Sequence, residues 1–537
     1  MGVTTDKLDI LHVAQGQDGW SDEFIDVADF FERVLEGYED GTGPANLEAD
    51  LDTARSLIPV GTGAYRDFSH LAPEIPLFAH ENCVGCMTCV TECPDTAILG
   101  KVVEEQVLEE QLQSIENADE RAFMQQQFAE TTKYYTRYQR QGEPGGKFGI
   151  FIDPTKCKGC AECVEVCADL GYNALKMIPK EDETVPIYQK SIEFFRALPE
   201  TPERYIQERI PADMMLAEKS MLYVGGAGSC AGCGEATTLR MMLAATGFQY
   251  GRENIGLVTA TGCNTVYGST YPYNPYMVPW INSLFENVAT VAMGVRAAWD
   301  QRGWQEKRLW AIGGDGALYD IGFQALSRML ASGMDIKVFI LDTQVYSNTG
   351  GQASTSSFHG QSAKMSMHGS SVPGKQEQRK EIARILMMHP NTFVAQTTAA
   401  HINHFYRAVM AANSFPGPAV VIVYTTCQPE HGVADDASRR QAKLAVDSRA
   451  FPLLVYDPRE GDKIRDRLSL QGNPAVKADW YTVPKTGEEI NFLTFARTEG
   501  RFAKHFGRDN NPSDTMLAAQ ADRLANWHLL QEMAGLR

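Results

Sequence analysis

Long apolar stretches are missing from this 537-residue chain, and no uninterrupted run is long enough to span a bilayer. Basic residues are in deficit as well. Lys and Arg number 49 against 68 Asp and Glu, a net charge of −19, which argues against broad nucleic-acid binding, because that requires a basic surface. The opening, MGVTTDKLDILHVAQGQDGW, has neither a basic stretch nor an apolar core, so no secretory leader is read there and a cytoplasmic protein is expected. In other respects the composition is that of a globular chain, 44% apolar and 22% charged. The length allows about two to four domains.

Cysteine is abundant, with twelve in the chain. A reducing compartment disfavours structural disulfides, so metal or redox chemistry is the better expectation. Eight of the twelve fall in two runs, CVGCMTCVTECP (Cys83, Cys86, Cys89, Cys93) and CKGCAECVEVCA (Cys157, Cys160, Cys163, Cys167). Both read C-x2-C-x2-C-x3-C, the spacing of bacterial [4Fe–4S] ferredoxins, in which the fourth cysteine of each run ligates the other cluster. That rule assigns Cys83, Cys86, Cys89 and Cys167 to one cluster and Cys157, Cys160, Cys163 and Cys93 to the other. Gly85 and Gly159 let backbone amides approach the sulfides, and Ala168 stands where the motif usually has proline. Zinc is the alternative, but zinc ribbons use paired CxxC knuckles rather than four-cysteine runs. The middle of the segment between the runs, 94–150, is rich in Glu, Gln and Leu and is expected to be a helical insertion. Lys156 and Lys158 flank a cluster. They are read either as guides for an acidic electron acceptor or, more ordinarily, as solvated surface.

A third cysteine motif, GGAGSCAGCGEAT, carries Cys230 and Cys233. Alone it is a redox dithiol, half a zinc site or half an iron–sulfur site. From about residue 220 short β-rich runs (NIGLVTATGC, RLWAIGGDG, DIKVFILDT, TFVAQTT, AVVIVYTTC) alternate with helical stretches. This is the pattern of an open, largely parallel α/β sheet, whose ligands lie at the carboxyl ends of its strands. At one such end stands Gly314-Asp315-Gly316, and 28 positions beyond Asp315 comes DTQVYSNTGGQ. The spacing is that of the thiamine-diphosphate signature, in which consecutive strand ends grip one Mg²⁺. Thr343 occupies the usual asparagine position with a hydroxyl ligand, and the carbonyl of Val345 offers a third oxygen.

The blocks SCAGCGE, TGCNTVYG, NSLFEN, GGDGALYDIGFQAL and DTQVYSNTGGQAS resemble the C-terminal part of pyruvate:ferredoxin oxidoreductases, and with the ferredoxin segment the resemblance spans roughly residues 75–500. It implies a third [4Fe–4S] cluster held by Cys230, Cys233, Cys263 and Cys427. The count agrees, since three four-cysteine clusters use all twelve, whereas a dithiol would leave Cys263 and Cys427 unexplained. The resemblance further implies that Asp315, Thr343 and the Val345 carbonyl hold Mg²⁺, that Asn348 lies near the reacting ring of thiamine diphosphate, and that Glu235 lies beside the cofactor. Turn and helix-cap roles are the plainer alternatives for Asn348 and Glu235. His359 and His368 receive no role.

The expected architecture is thus an N-terminal helical extension or docking arm (1–75), a two-cluster ferredoxin-like α+β domain with a helical insertion (76–190), and a thiamine-diphosphate domain with helices on both faces of its sheet (191–537). No domain for the aminopyrimidine ring is evident, so a second subunit carrying it is expected, in a dimer of heterodimers. The implied reaction is oxidative, reversible decarboxylation of pyruvate with coenzyme A, the electrons leaving through three clusters to ferredoxin or flavodoxin. 2-Oxoglutarate and branched or aromatic 2-oxoacids stay open as substrates. An electron-transfer subunit without thiamine catalysis and a non-oxidative thiamine lyase are the rival classes.

Overall fold

The computed structural model describes residues 27–47, 57–207, 209–268, 270–368 and 373–537. Strand β1 (Glu74–Phe78) pairs antiparallel with β4 (Leu175–Pro179), Glu74 opposite Pro179, and so closes the cysteine-rich region on itself. Between them lie α1 (Thr88–Glu92) and α4 (Glu162–Asp169), each entered from a cysteine loop. Both loops use left-handed backbone at the same two places, Gly85 and Met87 in one, Gly159 and Ala161 in the other. A Cβ on Gly159 would stand 2.5 Å from that of Ala72, so glycine is needed there for space as well as for conformation.

The segment between the runs is only partly the helical insertion expected. Strand β2 (Ile98–Glu104) pairs antiparallel with β3 (Gly146–Ile152), enclosing α2 (Glu105–Gln113) and α3 (Ala118–Gln126). Val102 and Val103, expected to be helical, are strand residues. Both are β-branched and buried, one against each face of the ribbon.

The second half is built on one eight-stranded sheet. Its strands are β5 (Ile255–Ala260), β6 (Trp280–Ser283), β7 (Arg308–Gly314), β8 (Lys337–Asp342), β9 (Phe393–Thr398), β10 (Ala419–Tyr424), β11 (Leu454–Tyr456) and β12 (Leu468–Ser469). The order is β12-β11-β9-β10-β8-β7-β5-β6. The six strands from β9 to β6 run parallel, and β11 and β12 close one edge antiparallel. Every residue of β5, β8, β9 and β10 is buried, as strands covered by helices on both faces must be. One face packs on α5 (Gly234–Tyr250) and α9 (Ile402–Ser414), the other on α7 (Val288–Gln301) and α8 (Phe323–Ser332).

A buried polar seam joins the cysteine-rich region to this sheet. Arg240 of α5 donates to the carbonyls of Val90, Thr91 and Cys93 and so satisfies the end of α1. The carboxylate of Glu162 accepts from the amides of Ser438 (3.1 Å) and Arg439 (2.8 Å), at the start of helix α10 (Ser438–Asp447). Lys158 pairs with Asp95 at 2.7 Å and donates to the carbonyls of Ala227 and Ser229. Lys156 donates to the carbonyls of Gly63, Ala64 and Arg66. Both lysines are buried, which corrects the two readings of them as solvated surface and as a guide for an acceptor. Orphan carbonyls at the seam claim the ammonium groups.

The described part of the N-terminal region also packs inward. Phe30 meets the Tyr271 ring at 6.2 Å and Phe31 that of Tyr65 at 4.8 Å, both edge-on. The rest of the expected docking arm lies outside the described residues. Among those described, no helix is long and apolar enough to cross a membrane.

Candidate cofactor and redox site

Four neighbouring strands deliver their next residues to one end of the sheet. β5 is followed by Thr261, Gly262 and Cys263, β7 by Asp315, β8 by Thr343, and β10 by Thr425, Thr426 and Cys427. Helix α5 begins there too, placing Cys233 at its cap and Glu235 in its first turn. A pocket opens to solvent at this point, lined among others by Glu235, Cys263, Gly314, Asp315, Thr343 and Asn348. Sequence-derived residues from five separate segments therefore meet in one place.

Three oxygens converge in it. The Thr343 hydroxyl lies 3.2 Å from Asp315 Oδ1 and 3.0 Å from the carbonyl of Val345. Mg²⁺ takes oxygens at 2.0–2.1 Å in near-octahedral geometry, so adjacent ligands stand about 2.9 Å apart. The observed spacings are close to that edge. Burial, followed by the charge of Asp342, raises the Asp315 carboxyl to about 7, while the hydroxyls of Ser354 and Ser356 oppose the rise. A cation bound here would relieve that cost. Asp342 is itself paired with the buried Arg379 and receives the Ser356 hydroxyl at 3.0 Å. Ser354, Ser356, Asp342 and Arg379 were not identified from sequence. The STSS stretch after the signature is the visible trace of the two serines, and Asp342 opens the signature itself.

The two glycines of the GDG motif differ. A Cβ on Gly316 would sit 2.8 Å from the Tyr346 ring, so packing demands glycine. A Cβ on Gly314 would meet only the Leu341 carbonyl, at 3.7 Å, and what the bare Cα leaves free is cavity floor. This suits the approach of a diphosphate. Asn348 stands exposed at the mouth. Glu235 is buried and pushed up to about 8, by burial and then by the charge of Asp315, with the Tyr267 hydroxyl at 3.3 Å opposing.

The cysteines gather in fours. Burial is the main cause that raises Cys89, and the charges of Cys86, Cys83 and Cys167 add to it. For Cys163 burial again leads, followed by Cys160, Cys157 and Cys93, then Cys89. Cys263 is raised by burial, then by Glu235, Cys233, Cys427 and Cys230. Each fourth cysteine of a ferredoxin run thus faces the other run's trio. Among the described residues no three His, Cys, Asp or Glu side chains stand close enough to share one metal ion. A tetrahedral zinc needs its sulfurs about 2.3 Å from one point, whereas a cubane holds its four thiolates farther apart. The first quartet walls a largely apolar cavity with Phe78, Met87, Phe148 and Leu175, and the donor set fits an iron–sulfur cluster.

Two residues absent from the sequence reading tie these features together. The fully buried His431 donates through Nε2 to the Thr343 carbonyl at 2.8 Å and accepts the Cys427 amide at Nδ1, 3.4 Å away. Burial, then Arg501, holds its pKa well below the ordinary imidazole value, so it stays neutral. The Ser347 hydroxyl donates to Thr343 Oγ1 at 2.9 Å. Burial pushes the Cys427 thiol up to about 11, opposed first by the Glu430 amide and then by the nearby Ser347 hydroxyl.

Known proteins are similar to this chain in sequence. A sequence profile described as the thiamine pyrophosphate enzyme, C-terminal TPP binding domain, matches residues 260–423. The chain is 28% identical over 576 residues to a probable pyruvate-flavodoxin oxidoreductase of Escherichia coli (strain K12), covering 94% of this chain and 45% of that protein. It is 27% identical to the pyruvate:ferredoxin oxidoreductase of Moorella thermoacetica, over 80% of this chain and 40% of that one. The chain thus spans less than half the length of these curated relatives. Among solved structures, a 2-oxoglutarate:ferredoxin oxidoreductase from Magnetococcus marinus, with 2-oxoglutarate, coenzyme A and succinyl-CoA bound, is similar at 21% identity and a TM-score of 0.33, over 37% of this chain and 64% of that one.

Proposed function

From its similarity to pyruvate-flavodoxin and pyruvate:ferredoxin oxidoreductases, we propose that the chain belongs to the 2-oxoacid:ferredoxin oxidoreductase family and forms the cofactor-binding and electron-carrying part of an enzyme that oxidatively decarboxylates pyruvate. Coenzyme A takes the acyl group, CO₂ leaves, and two electrons pass to ferredoxin or flavodoxin. One observation carries this reading. Cys263 shares a cavity with Asp315, Thr343 and Asn348, so the first electron acceptor and the reacting cofactor would lie together. Thiamine diphosphate, when bound, supplies the electron sink that decarboxylation of a 2-oxoacid requires.

The chain's own residues have distinct tasks. Asp315, Thr343 and the Val345 carbonyl would hold Mg²⁺, and bare Gly314 leaves room for the diphosphate. Glu235 and Asn348 face the reaction space, Glu235 from the inner wall and Asn348 from the mouth. Cys230, Cys233, Cys263 and Cys427 would hold the nearest [4Fe–4S] cluster, and the two ferredoxin-type quartets would hold two more, within a module of residues 76–190 set against a cofactor domain of 191–537. Val266, Ile281, Leu284 and Ile321 are exposed near the same strand ends. Apolar surface of this kind suits a partner face. We take it as the seat of a pyrimidine-binding domain; the relatives span more than twice the length matched here, so they give no support to the expectation that this domain sits on a separate subunit.

The test is anaerobic. The complex that the tagged chain retains is assayed for coenzyme A-dependent viologen reduction with a panel of 2-oxoacids. Pyruvate is expected to be the preferred substrate. Preference for 2-oxoglutarate or a branched or aromatic acid would keep the mechanism and replace the substrate. No turnover with any acid, from a complex that holds its clusters and a partner, would favour electron transfer without thiamine catalysis.

A further inference from the structure

We propose that His431 is a positioning residue that ties the metal-holding loop to the cluster-holding loop, each ring nitrogen securing one of them. The proposal rests on the reading above, in which Asp315, Thr343 and the Val345 carbonyl hold Mg²⁺ and Cys230, Cys233, Cys263 and Cys427 hold a [4Fe–4S] cluster.

Strands β8 and β10 are parallel neighbours, with Asp342 opposite Tyr424. One step further on, the Thr425 amide donates to the Asp342 carbonyl at 3.0 Å. Past that bond come the residues that carry the chemistry, Thr343 on one chain segment and Cys427 on the other. His431 resumes the connection there. Its Nε2 lies 2.8 Å from the Thr343 carbonyl, and its Nδ1 lies 3.4 Å from the Cys427 amide.

These partners fix the tautomer. A carbonyl can only accept and an amide N–H can only donate, so Nε2 carries the proton and Nδ1 is bare. Cys427 is held at both ends of its backbone, because the His431 amide also donates to the Cys427 carbonyl at 2.8 Å and closes the helical turn Gln428–His431. The imidazole has little freedom to tip. It packs against Tyr424, the last residue of β10, with ring centroids 6.1 Å apart. Glu499, 3.8 Å from Nδ1, is itself engaged by Arg501 at 2.6 Å and by the Tyr424 hydroxyl at 3.0 Å. His431 is fully buried and forms no part of the pocket wall, so whatever it does for the site it does through the two loops.

The two amide side chains each reproduce one half of the ring. The oxygen of an asparagine falls where Nδ1 stands and accepts, but the side chain is too short to reach Thr343. The nitrogen of a glutamine falls where Nε2 stands and donates, but leaves the Cys427 amide without its acceptor. The two loops can therefore be released one at a time.

The experiment measures the affinity for Mg²⁺ with thiamine diphosphate by calorimetry, and the cluster by low-temperature EPR, on the anaerobically purified complex. The relevant EPR signal is the one that Cys263→Ser abolishes. In His431→Asn the cofactor affinity is expected to fall by about 10–100-fold, the range for a contact that orients a metal ligand, with the EPR signal unchanged. In His431→Gln the affinity is expected to stay at the wild-type value, with the g values and midpoint potential of that signal displaced. Equal loss of both properties in both variants would overturn the proposal, since a residue that merely fills the core gives that result. Wild-type behaviour of both variants, or the opposite pairing, would overturn it too. Should either variant fail to fold, hydrogen exchange on wild type decides. Loading with Mg²⁺ and thiamine diphosphate must slow exchange at residues 427–431 as well as at 343–348, and unaltered exchange at 427–431 sinks the idea. Failure of wild type to bind the cofactor, or absence of any signal that depends on Cys263, would instead overturn the underlying reading, and the proposal with it.

Discussion

At the scale of single residues, the site separates groups that bind from groups that support. Asp315→Asn removes the charged oxygen of the proposed metal triad, and calorimetry with Mg²⁺ and thiamine diphosphate should show affinity lower by about 100-fold or more. Ser356→Ala removes a hydroxyl shared by Asp315 and Asp342, and a supporting contact of this kind is worth about 10–100-fold in metal affinity. Gly314→Ala sends its Cβ into the cavity floor without meeting protein, so cofactor binding should weaken while the melting temperature holds. The cysteines, Asp315, Thr343 and the glycines were singled out because each belongs to a spacing with a chemical reason. Ser347 and His431 were not, because a hydroxyl in a turn and a histidine after Cys427 acquire their meaning only when strands β8 and β10 lie side by side.

At the scale of elements, the sheet was readable and the seam was not. Apolar runs such as KVFILD announce a strand covered on both faces. Nothing in CKGC shows that the lysine between two cysteines turns away from water to meet Asp95. That pairing is open to test. Both side chains are buried, and removing one partner leaves an uncompensated buried charge. Lys158→Met should therefore cost about 3–5 kcal/mol, measured by denaturant unfolding, whereas replacing Lys158 and Asp95 together by apolar residues should cost much less. The helical expectation failed at Val102–Glu104 for a related reason: the Glu- and Gln-rich stretch that follows is helical, but pairing with β3 decides where the helix starts.

At the scale of the whole molecule, two histidines work against the fold in acid. His401 and His404, at the junction of β9 and α9, are each lowered to about 4, by burial first and then by neighbouring positive groups. Their imidazoles are neutral in the fold, whereas unfolded histidine titrates near 6.5. Between those values these two side chains bind more protons in the unfolded chain, so their contribution to stability is full above about pH 6.5 and is lost as pH falls toward 4. One such histidine accounts for on the order of 3 kcal/mol. Thermal unfolding of His401→Asn should show a shallower pH dependence over that window than wild type.

The seam has one more consequence. Arg240, Glu162 and Lys158 fix the cysteine-rich module to the sheet through buried hydrogen bonds on three separate elements. A carrier domain that swung between donor and acceptor would have to break them at every turnover. Electron hand-off between the two halves should then be a matter of tunnelling across a set gap, with no diffusive step to wait for. Its rate, followed after a flash of photoreductant, should be the same in buffer and in concentrated sucrose.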